Sequence, residues 1–300
     1  MKKDFLTLLD LTPKELSTLI ERAAELKAGK DSSACPLMGK SIGLLFDKTS
    51  TRTRISFQTG IYQLGAQPIY INSSELQLGR GESIEDTAKV MARYLHGIVL
   101  RTYAHSTIET LAENASIPVI NGLTDLHHPC QALADILTVK EKKGKLKGVR
   151  MAYIGDGNNV ANSLIEAAMM TGMELTLACP RGYDPDRKIF EKAMAEGAAV
   201  KIVTDPNEAA KDADVLYTDV WISMGQEREV ERRRKTFKNY QINNELLALA
   251  KPDAIVMHCL PAHRGEEITD EVLSSPQSVV IDQAENRLHA QKALLEMLIK

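Results

Sequence analysis

Ser41-Ile42-Gly43-Leu44-Leu45-Phe46-Asp47-Lys48-Thr49-Ser50-Thr51-Arg52-Thr53-Arg54-Ile55-Ser56-Phe57 reads as an apolar strand, a polar turn and the first turns of a helix that continues through Ile61. The same rhythm recurs on either side. Upstream, Thr12-Pro13-Lys14-Glu15 has the capping-box form with proline at the first helical position, leading into Leu16, Leu19, Ile20 and Ala23 at helical spacing. Downstream, short apolar runs at 68–71, 97–101 and 118–120 alternate with helical stretches, one of them marked by Ile84, Ala88, Met91 and Leu95. Alternating strands and helices predict a parallel sheet flanked by helices.

A second series follows the lysine- and glycine-punctuated stretch 140–148, with strand runs at 149–154, 174–178, 199–203, 215–218 and 254–258. The expected fold is therefore α/β, with two tandem domains that each hold a mostly parallel sheet. The expected boundaries are 1–139 and 149–280, with a terminal helix at 281–300. At about 150 residues per domain, 300 residues agree with two. With 37 basic against 40 acidic side chains, the net charge of -3 gives no field for a nucleic-acid backbone, so any anion site must be local. No run of about 18 apolar residues predicts a membrane span, and the start has no signal-peptide pattern, so a soluble cytoplasmic protein is expected. Cys35, Cys130, Cys179 and Cys259 form no CxxC pair, which argues against a disulfide framework or a cysteine zinc site.

In open parallel sheets, ligands sit beyond the carboxyl ends of strands, and four such loops carry chemistry-bearing residues. In the first, Ser50-Thr51-Arg52-Thr53-Arg54 puts hydroxyls and guanidiniums at a helix start. Arginines oppose the helix dipole there unless an anion is bound, and the GxxxxGK[ST] spacing of a Walker loop is absent. In the second, His128-Pro129-Cys130-Gln131 sets an imidazole and a carboxamide three residues apart, within reach of one carbonyl-sized group. A lone histidine equally serves local hydrogen bonds, and Arg101 at a strand end is equally a solvated cation. In the third, Gly155-Asp156-Gly157-Asn158-Asn159-Val160 starts like a dinucleotide fingerprint. Val160 then replaces the third glycine, and Cys179-Pro180 stands where an acidic ribose ligand belongs. The fourth, Asp219-Val220-Trp221-Ile222-Ser223-Met224-Gly225, offers one carboxylate for an ammonium group or for a turn, and the run 231–235 after it reads as a solvated helix face. Cys259, in His258-Cys259-Leu260-Pro261, is either a contact at a strand's carboxyl edge or a small buried apolar residue, and a zinc cluster with His258 and His263 lacks a fourth ligand.

Taken in order, STRTR, HPCQ, DVWISMG and HCLP resemble the aspartate/ornithine carbamoyltransferase family, on its ornithine side, over nearly the whole chain. The resemblance implies transfer of a carbamoyl group from carbamoyl phosphate to the δ-amine of L-ornithine, giving L-citrulline and phosphate, as part of arginine metabolism and with no cofactor. It implies sites between two domains and across the subunits of a homotrimer, with a C-terminal helix returning to the first domain. Ser50, Thr51, Arg52 and Thr53 would hold the phosphate, and Arg101, His128 and Gln131 the carbamoyl group. Gln77 would reach a neighbouring subunit's site, and Arg287 would contact carbamoyl phosphate. Asn159, Asp219, Ser223 and Met224 would position ornithine, while Cys259 and Leu260 would face the reacting centre. Arg52, Arg101, His128, Asp219 and Cys259 are the expected catalytic groups. Putrescine is the alternative amine. A non-catalytic anion-binding regulator and a dehydrogenase are the alternatives outside the class.

Overall fold

The computed structural model describes residues 4–30, 35–72, 81–222 and 229–299. They divide into two compact units: 1–137 with 285–300, and 138–284.

In the first unit a short 3-10 turn, Leu8–Asp10, precedes α1 (Pro13–Lys27), β1 (Ser41–Phe46), α2 (Thr51–Gln63), β2 (Gln67–Asn72), α3 (Ile84–Tyr94), β3 (Gly97–Arg101), α4 (His105–Asn114), β4 (Val119–Leu123) and α5 (Pro129–Lys143). The capping box expected at Thr12 forms, with Thr12 Oγ1 accepting from the Glu15 N–H and the Glu15 carboxylate accepting from the Thr12 N–H. Four parallel strands lie in the order β2-β1-β3-β4. β1, β3 and β4 are buried almost throughout, as expected of strands covered on both faces. Leu45, Ile98, Leu100, Ile108, Leu111 and Val119 are among the core residues of this unit.

The second unit runs β5 (Arg150–Ile154), α6 (Asn159–Thr171), β6 (Glu174–Ala178), α7 (Arg187–Ala195), β7 (Val200–Val203), α8 (Pro206–Ala210), β8 (Val215–Thr218), α9 (Val230–Phe237), α10 (Asn244–Leu247), β9 (Ile255–His258), α11 (Asp270–Leu273) and α12 (Val280–Leu298). Its five parallel strands take the order β7-β6-β5-β8-β9. The core gathers Trp221, Phe237, Val256, Ile268 and Val272.

Strand order reverses between β1 and β3 in one sheet and between β5 and β8 in the other. A crevice at the carboxyl ends of strands opens at such a reversal. The four strands flanking the two reversals lead into Asp47-Lys48-Thr49-Ser50, Arg101, Gly155-Asp156-Gly157 and Asp219. Three details differ from the sequence reading. Asn121 and Gly122 belong to β4 rather than to the loop after it. The lysine-rich stretch is helical to Lys143, because Lys140, Lys142 and Lys143 fall in the last turn of α5, where cations suit the helix dipole. The division between units falls inside α5 and inside α12.

Candidate active site

At the carboxyl end of β1, three loops of the first unit are tied together. The Asp47 N–H donates to the Arg101 carbonyl at 2.8 Å, and the Thr102 hydroxyl donates to the Asp47 carboxylate. Lys48 is buried, its ammonium pairing with Asp125 and lying 4.2 Å from the centroid of the Tyr103 ring. Ser50 caps α2: its Oγ accepts from the Thr53 N–H at 3.2 Å and donates to Thr53 Oγ1 at 3.0 Å. No acidic side chain stands in the first turn of α2, so Arg52 and the helix dipole add to one local positive pole. Arg54 stacks on the Tyr70 ring at 3.8 Å and bonds Gln58 at 3.3 Å, whereas Arg52, half-buried, makes no hydrogen bond or ion pair among the described residues. Thr51 is exposed.

Behind this pole lies a buried polar cluster assembled from three distant stretches of chain. Arg287, on α12, donates from Nη2 to Thr53 Oγ1 at 2.7 Å and from Nη1 to Gln131 Oε1 at 2.9 Å, and Gln131 Nε2 donates to Asp135 at 2.9 Å. The guanidiniums of Arg287 and Arg101 also act on His128. Burial first, then these two like charges, hold its imidazole well below the usual histidine range, so it serves as a neutral hydrogen-bonding group. Cys130 donates to the Asn121 carbonyl, and burial pushes its thiol up to about 12, which removes it from any nucleophilic role.

In the second unit the GxG spacing has a packing cause. Gly155 has a φ of +144°, and a Cβ on Gly157 would sit 2.2 Å from the Pro185 nitrogen. Asn158 then caps α6, its Oδ1 accepting from the Val160 and Ala161 N–H groups at 2.9 and 3.2 Å. Its Nδ2 donates to Asp219 Oδ2 at 2.7 Å, joining the two loops at the strand reversal. Asp219 Oδ1 accepts from the Cys259 thiol at 2.8 Å and from the Val220 N–H at 2.8 Å. The result is a buried carboxylate oriented by three donors; Asn159, the first residue of α6, and Leu260, in the loop after β9, are half-buried. Gln77, Ser223 and Met224 lie outside the described residues.

Asp219, His258 and Cys259 bring ligand-type atoms within 4.8 Å of one another. Both ring nitrogens of His258 are already engaged, Nδ1 accepting from the Leu260 N–H at 2.8 Å and Nε2 facing Glu267 at 3.0 Å. His263 groups instead with Glu266 and Glu267.

The chain matches two family models: the carbamoyl-phosphate-binding domain of aspartate/ornithine carbamoyltransferase over residues 3–141 and the aspartate/ornithine-binding domain over 147–298. The chain belongs to the aspartate/ornithine carbamoyltransferase family. Among its relatives is an ornithine carbamoyltransferase of Syntrophus aciditrophicus, 55% identical with 100% of each chain covered. Another, from Methanoculleus marisnigri, is 54% identical over 100% of this chain and 97% of its own. The solved ornithine carbamoyltransferase of Pyrococcus furiosus superposes with a TM-score of 0.95 at 51% identity, covering 99% of this chain and 96% of that one.

One residue of this carbamoyltransferase reverses the sequence reading, while Glu231, Arg232, Arg234 and Lys235 are exposed as expected. Arg233, expected on a solvated face, is buried: its Nη1 donates to Asp156 at 2.8 Å and to the Trp221 carbonyl at 2.9 Å, and its Nε donates to Glu229 at 3.1 Å. It binds the loop after β5 to the loop after β8. All five residues in 231–235 are charged, so no apolar spacing marks the buried one. Lys48 and Asp125 also went unassigned, since an aspartate 77 positions away gives no local signal.

Proposed function

We propose that the chain transfers the carbamoyl group of carbamoyl phosphate to the δ-amine of L-ornithine, releasing L-citrulline and phosphate. The observation that carries this function is the start of α2, where Arg52 and uncompensated backbone N–H groups form a positive pole at a strand-order reversal. Ser50, Thr51, Arg52 and Thr53 are assigned to the phosphate end, and Arg101, His128, Gln131 and Arg287 to the carbamoyl end. The amine attacks the carbamoyl carbon, a tetrahedral oxyanion forms and phosphate departs. Arg52, Arg101 and His128 stabilise the two oxygens that gain charge.

Asn159, Asp219, Ser223 and Met224 are assigned to the amino-acid end of ornithine, and Cys259 and Leu260 to the reacting centre. Ornithine's side-chain amine is lysine-like and protonated near neutral pH, so the nucleophile must first lose a proton. The Asp219 and Cys259 pair is the group assigned to that adjustment. The family resemblance carries with it a cytoplasmic homotrimer, with Gln77 supplied to a neighbouring subunit. Among the described residues no helix is long and apolar enough to cross a membrane.

The test is product formation with two amines. Citrulline from ornithine and carbamoyl phosphate, with little product from putrescine, supports the assignment. Faster reaction with putrescine would move the chain to another amine, and binding of phosphate analogues without product would make it a non-catalytic anion binder.

A further inference from the structure

The motif after β9 contains a buried pair that the proposed chemistry leaves unused. His258 and Glu267 are both without side-chain exposure, and their contact spans 3.0 Å between His258 Nε2 and Glu267 Oε1. The Leu260 N–H donates to His258 Nδ1 at 2.8 Å, so Nδ1 carries its lone pair and the ring proton sits on Nε2. That proton points to Glu267 Oε1, which also accepts from the His263 N–H at 2.6 Å. The His258 N–H is held in turn by Gln283 Oε1 at 2.9 Å, and Gln283 Nε2 donates to the Tyr217 hydroxyl at 3.1 Å.

This framework surrounds a residue in an uncommon state. Leu260 has a φ of +57°, a left-handed conformation that a leucine adopts only when its surroundings enforce it. Its N–H is the hydrogen bond that His258 receives. Cys259, between them, donates to Asp219. The register of β9 against β8 sets His258 opposite Thr218, so the strained turn emerges beside the root of the Asp219 loop.

We infer that His258 is a positioning residue for the transfer reaction: its unprotonated Nδ1, oriented by Glu267 through Nε2, fixes the left-handed Leu260 and with it the Cys259 and Leu260 backbone that faces the ornithine amine. This rests on the proposed ornithine reaction. Its action requires an acceptor at Nδ1 and a hydrogen-bond acceptor at Glu267, not a charge on either.

Steady-state kinetics on the full chain test it with substitutions that keep different halves of the imidazole. In His258→Asn, the amide oxygen stands near Nδ1 and still accepts from Leu260. In His258→Gln, the longer amide reaches the Nε2 position and leaves the Leu260 N–H without its acceptor. The expected result is a kcat about a hundredfold lower in His258→Gln, the scale of a lost oriented hydrogen bond at a reacting centre. The KM for carbamoyl phosphate should stay at the parent value, and His258→Asn should recover kcat to within about tenfold of the parent. Equal losses in both variants, or none in either, would overturn the inference. If both fail to fold, Glu267→Gln decides: its amide oxygen still accepts both hydrogen bonds, so kcat should stay within a few-fold of the parent, and a collapse of kcat in the folded variant would overturn the inference. A parent protein that forms no citrulline defeats the ornithine reaction itself, and the inference falls with it.

Discussion

Arg52 is the residue on which the proposed chemistry leans most. It stands in the first turn of α2 without an internal partner among the described residues, where its charge opposes the helix dipole until an anion arrives. Arg52→Ala should lower kcat by a hundredfold or more, about 2.7 kcal/mol of transition-state stabilisation, while leaving the thermal midpoint unchanged or slightly raised. Initial rates at saturating carbamoyl phosphate, with a melting curve, check both. His128 makes a prediction in pH. Its folded-state pKa is depressed by burial and by Arg287 and Arg101, so the unfolded chain protonates first, near about 6.5. Stability present above that value is lost as pH falls towards the folded-state value. The opening free energy of the β4 amides, taken from exchange rates after division by the intrinsic rate at each pH, should therefore fall between pH 7 and pH 5, and His128→Gln should blunt the change, although His105 and His289, also depressed by burial, retain part of it. An identical pH response in the variant would count against this account of His128. At this scale the sequence is legible where a residue conflicts with its local surroundings, as Arg52 does. It is silent where the partner is remote, as with Arg287, which meets Thr53 across 234 positions.

Elements were readable where apolar runs are short and bounded. The β1, β3 and β6 spans match their runs because strands covered on both faces need continuous apolar sequence. The charged run 231–235 is a solvated helix face as expected at every residue but Arg233, since burial there is bought by pairing and not by hydrophobicity. Arg233 tethers α9 beneath the loops after β5 and β8. Arg233→Gln leaves Asp156 buried without its cation, and unfolding in urea should register a loss of about 3–5 kcal/mol near neutral pH. Burial already raises the Asp156 pKa against the pull of Arg233. A carboxyl raised in the folded state favours folding as pH falls, so the deficit should shrink in acid. Adding Asp156→Asn to Arg233→Gln should recover part of the loss at neutral pH. A deficit independent of pH, with no recovery in the double variant, would mean that the guanidinium acts by packing alone.

At the scale of the molecule, two parallel sheets each reverse strand order once: the Ser50–Arg54 loop and the strand-end Arg101 flank one reversal, and the loops after β5 and β8 flank the other. The central claim is that one reversal grips a dianionic phosphate with its carbamoyl group while the other holds an amino acid through a buried carboxylate. Ser50, Arg101, Asp219 and Cys259 are proposed from their places at strand ends together with the family resemblance, which supplies their roles. The hydrogen bonds and ion pairs of Arg287, Lys48 and Arg233 are not legible in the sequence, because these cations act through partners that only the fold supplies. The most direct measurement is a crystal structure of the protein with a bisubstrate mimic in which a phosphonoacetyl group is joined to the δ-nitrogen of ornithine. The account predicts the phosphonate on the N–H groups at the start of α2 and on Arg52, the acyl oxygen on Arg101 and His128, and the α-ammonium on Asp219. A phosphonate bound elsewhere, with Arg52 left in solvent, would contradict it.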